Sequence, residues 1–218
     1  MTVFVDHTER RKLILERSFA LFAREGFEGV TFQKIANECG IARTLIYRYF
    51  KDKEEIFLYA VRQGTDKMSA MVEKVMRRAD LNSVEKLRRV LHLTIKMLSE
   101  NRVFLSVVLD YLAIAEQSGA NVRRRVRRYT WGMKFFIDRL LREAAGEQLL
   151  ISTDPVKASG HLFCLLEAYV LNITIVNLMD RKEYITLIDN YLNEQLPDSL
   201  RSRELSGIQN FGIQKESS

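Results

Sequence analysis

The sequence predicts an all-α protein with a head of three short helices joined to a larger helical body, about nine helices in all. Only 2 prolines and 10 glycines interrupt its 218 residues, and so few breakers favour long helices over strands, which need frequent turns. Apolar residues recur at three- and four-residue spacing along most of the chain, which is the pattern of an amphipathic helix. Hydrophobic residues make up 47% and charged residues 28%, a composition typical of a folded, soluble protein.

The first two helices are predicted from residues that begin and end helices. Residues 9–25 carry apolar side chains at helical spacing. Gly26 follows as a stop, because glycine adopts the left-handed cap conformation without steric cost. Thr31 is a good N-cap, since its hydroxyl can accept a hydrogen bond from a free backbone amide. We therefore expect a second helix over residues 32–39.

The third and fourth helices complete the head and connect it to the body. Gly40 supplies a tight turn, and a third helix is expected over residues 42–50. Three short helices with this glycine turn describe a helix-turn-helix head. Asp52 then caps a fourth helix, with two acids in its first turn, where the helix dipole favours them. This helix runs through Val75 and links the head to the body.

Two strong start signals organise the body. Asn82 with Glu85 forms a capping pair, and Asp154 caps a helix whose first residue is Pro155. Helices of the body are expected over residues 82–98, 102–117, 120–145, 154–179 and 182–196.

Charge and hydropathy limit the partners and the compartment. Lys and Arg (34) exceed Asp and Glu (28) by 6, and the first 53 residues hold 10 basic and 7 acidic residues, so 10 − 7 = +3 lies in the head. This excess permits a nucleic-acid partner. The apolar stretch 162–179 contains Glu167, Asn172 and Asn177 and falls short of the ~20 apolar residues of a membrane span. We expect a buried helix there, no export signal, and a cytoplasmic protein without membrane contact.

A set of residues in the head has a characteristic spacing: Ile14-Leu15, Phe22, Gly26-Phe27, Thr31, Ile35-Ala36, Gly40-Ile41, Tyr47, Phe50 and Lys53-Glu54. Over about residues 10–60 this pattern resembles the N-terminal signature of the TetR family of transcriptional regulators. Beyond residue 60 the resemblance is one of architecture only.

The resemblance implies a domain organisation and a function. A DNA-binding domain is expected over residues 1–53, a helical ligand-binding and dimerisation domain over 54–197, and a flexible tail over 198–218. The function implied is that of a repressor, which binds a palindromic operator as a homodimer and is released by a small molecule. Activation in place of repression is left open, as are the operator, the regulated genes and the identity of the effector.

The third helix is the expected reading surface for DNA, because a helix fits the major groove of B-DNA. Arg43 is the candidate for base readout, since a guanidinium can bind guanine in bidentate fashion. Thr44 and Arg48 share its exposed face, whereas Phe50 is expected to pack inward. The resemblance implies phosphate contacts at a further set of positions, to which Tyr49 is added: Thr31, Tyr47 and Lys53.

The body is expected to hold the dimer interface and an apolar cavity for the effector. The interface candidates lie on the last two helices: Phe163, Leu166, Val170 and Ile188. The cavity candidates are Met68, Met71, Phe104, Val108, Tyr111, Trp131, Phe135 and Leu165, with Asp110, Asn172 or Glu167 as polar partners. The five arginines within residues 123–128 are either a solvated surface or a site for an anionic ligand.

Other classes of protein were weighed against this interpretation. An enzyme would need a nucleophile–base pair or metal ligands, and His7, His92 and His161 lie far apart in the sequence. His161 and Cys164 form only half of a possible metal site. We therefore expect no catalytic residues, no metal and no cofactor. A DNA-binding factor that acts through a protein partner without any ligand is the second alternative, and a purely protein-binding module is the third.

Overall fold

In this computed structural model the chain is described over residues 7–117, 122–151, 154–198 and 200–201, apart from the side chains of residues 114–131. All regular secondary structure within these ranges is helical, which confirms the predicted all-α class. The helices are α1 His7–Gly29, α2 Phe32–Cys39, α3 Arg43–Ile46, α4 Lys53–Met76, α5 Ser83–Glu100, α6 Arg102–Gln117, α7 Val122–Gly146, α8 Pro155–Leu171, a π-helix over Asn172–Val176, and α9 Arg181–Glu194.

The described residues form two compact units, of which the first lies within residues 1–71 and 100–129. Here α1 packs against α2 and α6, and α2 packs against α3. The core combines side chains of the head with Val107 and Tyr111 of α6. Phe57 is fully buried at its centre, with ring centroids 5.1 Å from Phe27 and 4.8 Å from Tyr111. Helix α6 therefore contributes to the same core as the helix-turn-helix segment.

The predicted break at Gly26, the Thr31 cap and the turn at Gly40 are confirmed. Gly26 has φ 71° and interrupts the helical backbone of α1, so that Phe27 turns into the core. The Thr31 hydroxyl accepts a hydrogen bond from the Lys34 amide at 3.3 Å. Gly40 has φ 65°, a left-handed conformation in which a β-carbon would be strained.

Helix α3 is shorter than the predicted span of residues 42–50. It ends at Ile46, and the next residues form tight turns, with the Arg48 amide 3.2 Å from the Leu45 carbonyl and the Tyr49 amide 2.9 Å from the Ile46 carbonyl. Ala42 provides no side-chain cap. Three of the next four residues are aromatic (Tyr47, Tyr49 and Phe50), and aromatic side chains lose rotamer freedom in a helix. A full helix therefore does not form here.

The second unit lies within residues 72–99 and 130–218. The predicted apolar face of α5 is confirmed, since Leu87, Leu91 and Ile95 are fully buried. A smaller cluster is formed by Val84, Ala144 and Leu196, and Leu200 packs against it. Leu200 belongs to the segment predicted as a tail, of which residues 202–218 lie outside the described residues.

The apolar helix at residues 154–179 differs from its prediction in two ways. Helix α8 ends at Leu171 and passes into the π-helix, which stops at Asn177 with φ 53°. The helix was also expected to be buried. Only 22% of the most apolar stretch of 18 residues within Pro155–Val176 is buried inside the chain. The periodicity could not reveal this exposure, because an apolar side chain has the same sequence signal whether its own chain or a partner covers it.

The same segment satisfies a simple test for a membrane-spanning helix. The segment is 22 residues long, and its most apolar stretch of 18 residues has a mean hydropathy of 1.5. Length and composition alone are weak evidence, because core and interface helices of soluble proteins pass the same test. What the structure adds is an apolar helix face that the described residues leave uncovered.

Candidate nucleic-acid interface

The segment α2–turn–α3 is held in a fixed geometry by buried side chains and backbone hydrogen bonds. Ile35 and Ile46 are fully buried, one on each helix. The Ile41 amide donates to the Ala36 carbonyl at 3.0 Å, which closes the turn at Gly40. The position of α3 is therefore set by the core of the head.

The predicted DNA-reading side chains lie on α3 and on the turn that directly follows it. Arg43, Thr44, Tyr47 and Arg48 are all exposed, whereas Ile46 and Phe50 point into the core, as predicted. The Arg43 guanidinium donates a hydrogen bond to the Tyr47 hydroxyl at 3.0 Å. These two side chains thus support each other on one surface.

Tyr47 is partly fixed by a second contact. Its ring is 51% exposed, and it meets the Phe32 ring edge-on with a centroid distance of 4.7 Å. Such aromatic pairs restrict the ring without covering the hydroxyl. The hydroxyl is therefore exposed to solvent, and a phosphate placed there can accept a hydrogen bond from it.

The other predicted phosphate contacts have partners within the head. The Lys53 ammonium donates to the Phe27 carbonyl at 3.0 Å, lies 4.4 Å from the Phe27 ring centroid, and is 3.8 Å from the Glu28 carboxylate. The Tyr49 hydroxyl is 3.0 Å from Nδ1 of His7. Phosphate binding by Lys53, Tyr49 and Thr31 stays a prediction. For Lys53 it requires the ammonium to share its three donors between the head and DNA.

The ligand candidates of the first unit occupy different environments. Tyr111 is buried and its hydroxyl donates to Glu54 at 2.7 Å. Phe104 and Val108 pack against the core of the head. Met68 and Met71 are half-buried and Asp110 is exposed. Three of these six candidates therefore already have a place in the packing of the head.

The candidates of the second unit are also dispersed. Phe135 is 63% exposed, and the Leu165 carbonyl accepts a hydrogen bond from Tyr184. Asn172 is buried, and its side chain bonds the amides of Leu178 and Met179, each at 3.1 Å. Glu167 is exposed. The side chains of Trp131 and of Arg123–Arg128 lie outside the described residues.

One open surface depression lies in the second unit. It is lined by Ser99, Asp180, Arg181 and Lys182, and it contains none of the ligand candidates.

The dimer candidates are divided between interior and surface. Ile188 is fully buried and Leu166 is 5% exposed, so these two side chains have little surface left for a partner. Phe163 and Val170 are half-buried. Other apolar side chains nearby are more exposed: Val156, Leu171, Ile175, Val176, Leu178, Met179 and Leu187.

His161 and Cys164, the two possible metal ligands suggested by the sequence, have no third ligand beside them among the described residues. His161 Nδ1 lies 3.0 Å from the Tyr191 hydroxyl, and Cys164 is exposed. No group of three metal-ligating side chains occurs among the described residues.

The structure draws attention to two residues that were not singled out from the sequence. His7 contacts Tyr49, and the Arg11 guanidinium lies 4.3 Å from the Tyr59 ring centroid. The only local signal was the run Arg10-Arg11-Lys12, which a solvated helix surface would also produce.

A buried helix-turn-helix frame with a polar, basic exposed face defines a DNA-binding protein of the helix-turn-helix class. Residues 14–60 match the family of bacterial regulatory proteins, tetR family. The match covers the helix-turn-helix segment and the start of α4.

Curated relatives with similar sequences are HTH-type transcriptional regulators. An HTH-type transcriptional regulator of Bacillus subtilis, YerO, is 27% identical over 174 residues, which cover 75% of this chain and 57% of that protein. The chain spans about half the length of the curated relatives it matches.

Two solved structures show the similarity of fold. A TetR-like regulator from Rhodococcus sp. RHA1 has a TM-score of 0.66 at 17% identity, covering 93% of this chain and 99% of that one. AibR, solved with isovaleryl coenzyme A and operator DNA, has a TM-score of 0.61 at 18% identity, covering 86% of this chain and 98% of that one. At such identities the similarity concerns the fold alone.

Proposed function

We propose that the protein is a ligand-responsive transcriptional repressor, which binds a palindromic operator as a homodimer and releases it when a small molecule binds. The observation that carries this proposal is the exposed face of α3, with Arg43, Thr44, Tyr47 and Arg48 set on a buried frame. Arg43 reads a guanine in the major groove, while Tyr47 binds the phosphate backbone.

The domain organisation is part of the same proposal. The DNA-binding domain spans residues 1–53, and residues 54–197 bind the ligand and the second protomer. Helix α6 contributes Val107 and Tyr111 to the core that supports the helix-turn-helix segment. A change in α6 therefore acts directly on the packing of the head.

A second copy of the chain is the proposed cover for the apolar face of α8. Val156, Gly160, Cys164, Ala168 and Leu171 follow each other at helical spacing and continue to Ile175. None of them is buried within the chain. Apolar patches of this kind mark association surfaces, and small residues allow two helices to approach closely. The half-buried Phe163 and Val170 remain candidates at its edge.

Substitution Leu171→Asp is expected to convert the dimer to a monomer at micromolar concentration. The leucine is 52% exposed within the chain, and an unpaired carboxylate buried between two protomers is strongly unfavourable. Light scattering after size exclusion measures the mass. Leu13→Asp is the control, because Leu13 is also exposed, at 40%, but lies on α1. A Leu171→Asp protein that keeps the dimer mass would contradict this interface.

The proposed effector is an amphipathic molecule with a large apolar part. The neighbour AibR was solved with isovaleryl coenzyme A, which supports an acyl thioester as the first probe. Met68, Met71, Phe135 and Leu165 stay candidate contacts, with Asn172, Asp110 or Glu167 as polar partners. Release of DNA requires that the ligand bind one conformation better than the other. Free coenzyme A serves as the control for the acyl group.

The DNA-binding proposal is tested by selection from a randomised duplex library. We expect a near-palindromic site, because each protomer of a symmetric dimer reads one half. Arg43→Ala should relax one base position in each half-site, at a cost of about 1–3 kcal/mol for the preferred base. Tyr47→Ala should weaken binding to all sequences alike.

The matched control is Arg24→Ala, which removes the same charge from a residue already paired with Glu25 and Glu38. It should bind like the wild type. Enrichment of no sequence at all, with binding that disappears at moderate salt, would count against a sequence-reading head.

A further inference from the structure

The basic side chains of the head fall into two groups. Arg24, Lys34 and Lys53 each lie within ion-pair distance of a carboxylate, and the hydrogen bond from Lys34 is the main cause that lowers the pKa of Glu25. Within the described residues the other basic side chains of this segment have no carboxylate partner. These are Arg10, Arg11, Lys12, Arg17, Arg43, Arg48 and Lys51.

Contacts between distant segments hold the start of α1, with Arg11 of the unpaired group, against residues that follow α3. His7 in the first turn of α1 lies 3.0 Å from the Tyr49 hydroxyl. One turn later, the Arg11 guanidinium carbon lies 5.3 Å from the Phe50 ring centroid and 4.3 Å from that of Tyr59. The start of α1 is thereby fixed beside the segment that directly follows α3.

The orientation of α1 distinguishes this surface from an ordinary solvated helix face. His7, Arg10 and Arg11 follow the helical spacing of the buried residues Ile14 and Ser18, so they lie on the side of α1 that faces the rest of the head. Lys12 and Glu16 lie on the opposite, exposed side. His7 and Arg11 therefore face the segment that follows α3, and the half-buried Arg10 lies on the same side of α1.

The electrostatics of this placement are unfavourable within the head itself. Cations near the N-terminus of a helix oppose the helix dipole, and adjacent arginines repel each other. The Arg11 Nε atom is buried without a hydrogen-bond partner, since its guanidinium is held by aromatic rings. An external anion next to this surface would relieve the repulsion, and the phosphate groups of DNA carry such charge.

We propose that the first turns of α1, through His7, Arg10 and Arg11, form a second DNA-binding surface that contacts backbone phosphates beside α3. This inference rests on the proposed operator-binding function and extends its contact area beyond the helix-turn-helix segment. Contacts of this type add affinity without reading sequence. Tyr49, held by His7, lies between the two surfaces and donates its hydroxyl to the same stretch of backbone.

The test compares Arg10→Gln with Lys12→Gln in the full chain. The probes are the duplex enriched from the randomised library and an unrelated duplex of equal length. Arg10→Gln should weaken binding to both duplexes by up to about tenfold at low salt. Because the dimer loses two cations, the slope of log affinity against log salt should also fall in magnitude by about 2. Lys12→Gln removes an equal charge two residues along and should change neither quantity.

Two variants of Arg11 separate charge from packing. Arg11→Lys keeps the cation and should keep the salt slope, whereas Arg11→Gln should lower the magnitude of the slope by about 2, or about 1 for each protomer. Thermal unfolding confirms that each variant is folded. Wild-type slopes in both Arg10→Gln and Arg11→Gln, together with loss of binding in Tyr47→Ala, would overturn the α1 surface and leave the proposed function standing. A wild-type protein that binds neither duplex would overturn both.

Discussion

Replacement of Asp189 by alanine is expected to destabilise the protein by about 3–5 kcal/mol, the usual cost of removing one member of a buried ion pair. Asp189 on α9 accepts hydrogen bonds from Arg88 at 2.6 Å, and His92 Nε2 of α5 lies 2.8 Å away. The Arg88 and Asp189 side chains are only 8% and 15% exposed. The Arg88 guanidinium also donates a hydrogen bond to the Asn193 side chain at 2.8 Å.

Urea unfolding at a fixed protein concentration measures this loss. Asp198→Ala is the control, because Asp198 is 92% exposed in its pair with Arg201 and surface pairs contribute about 0–1 kcal/mol. The double variant Arg88→Met, Asp189→Leu should recover much of the stability, since apolar residues often replace a buried pair at little cost. A loss below about 1 kcal/mol in Asp189→Ala would mean that the pair is not buried in solution.

The same pair has a defined pH dependence. Burial opposes ionisation of Asp189, but the hydrogen bond with His92 and the charges of His92 and Arg88 outweigh it and lower its pKa. A carboxyl with a lowered pKa stabilises the fold above its unfolded value of about 3.9 and loses that contribution as the pH falls toward the folded value. The difference in stability between wild type and Asp189→Ala should therefore narrow below about pH 4.

Replacement of Phe57 by alanine is expected to destabilise the first unit by about 3–5 kcal/mol, as is usual for a buried aromatic residue. Phe57 is fully buried, and its ring centroid lies within 5.8 Å of those of Phe22, Phe27, Phe104 and Tyr111. Because these rings come from α1, α4 and α6, the cavity would weaken the frame that carries α3. DNA binding should therefore be lost as the head unfolds.

Phe135→Ala provides a matched control for the loss of a ring. Phe135 is 63% exposed on α7, and a truncation there should change stability by no more than about 0.5 kcal/mol. Unfolding is followed by circular dichroism and DNA binding by anisotropy of the enriched duplex. If Phe57→Ala retained DNA binding with wild-type stability, the aromatic cluster would not support the head.

Features that depend on a few neighbouring residues were predicted correctly. The Thr31 cap, the glycine break at Gly26 and the left-handed Gly40 are found where they were expected. Asp154 also accepts the predicted hydrogen bond, from the Val156 amide at 2.9 Å. Each of these involves backbone and side-chain groups within four residues of one another, so the local sequence specifies it.

Features that depend on distant segments were not available from the sequence. Phe104 and Tyr111 were selected as ligand contacts because they are aromatic residues on an amphipathic helix. In the structure they pack with Phe19, Phe27 and Phe57 of the head. Helical spacing identifies an apolar face but does not identify the helix that covers it.

The sequence by itself determined the all-helical class, the helix-turn-helix head and the exposed basic face of α3, because caps, glycine turns and apolar spacing are local signals. Tertiary structure decided which apolar faces are covered within the chain, leaving α8 exposed while burying Ile188. It also brought His7 and Arg11 to Tyr49 and Phe50 across some forty residues of sequence. Such contacts form only when residues far apart in the sequence are buried together and fix the helices against each other. A local sequence pattern therefore does not predict them.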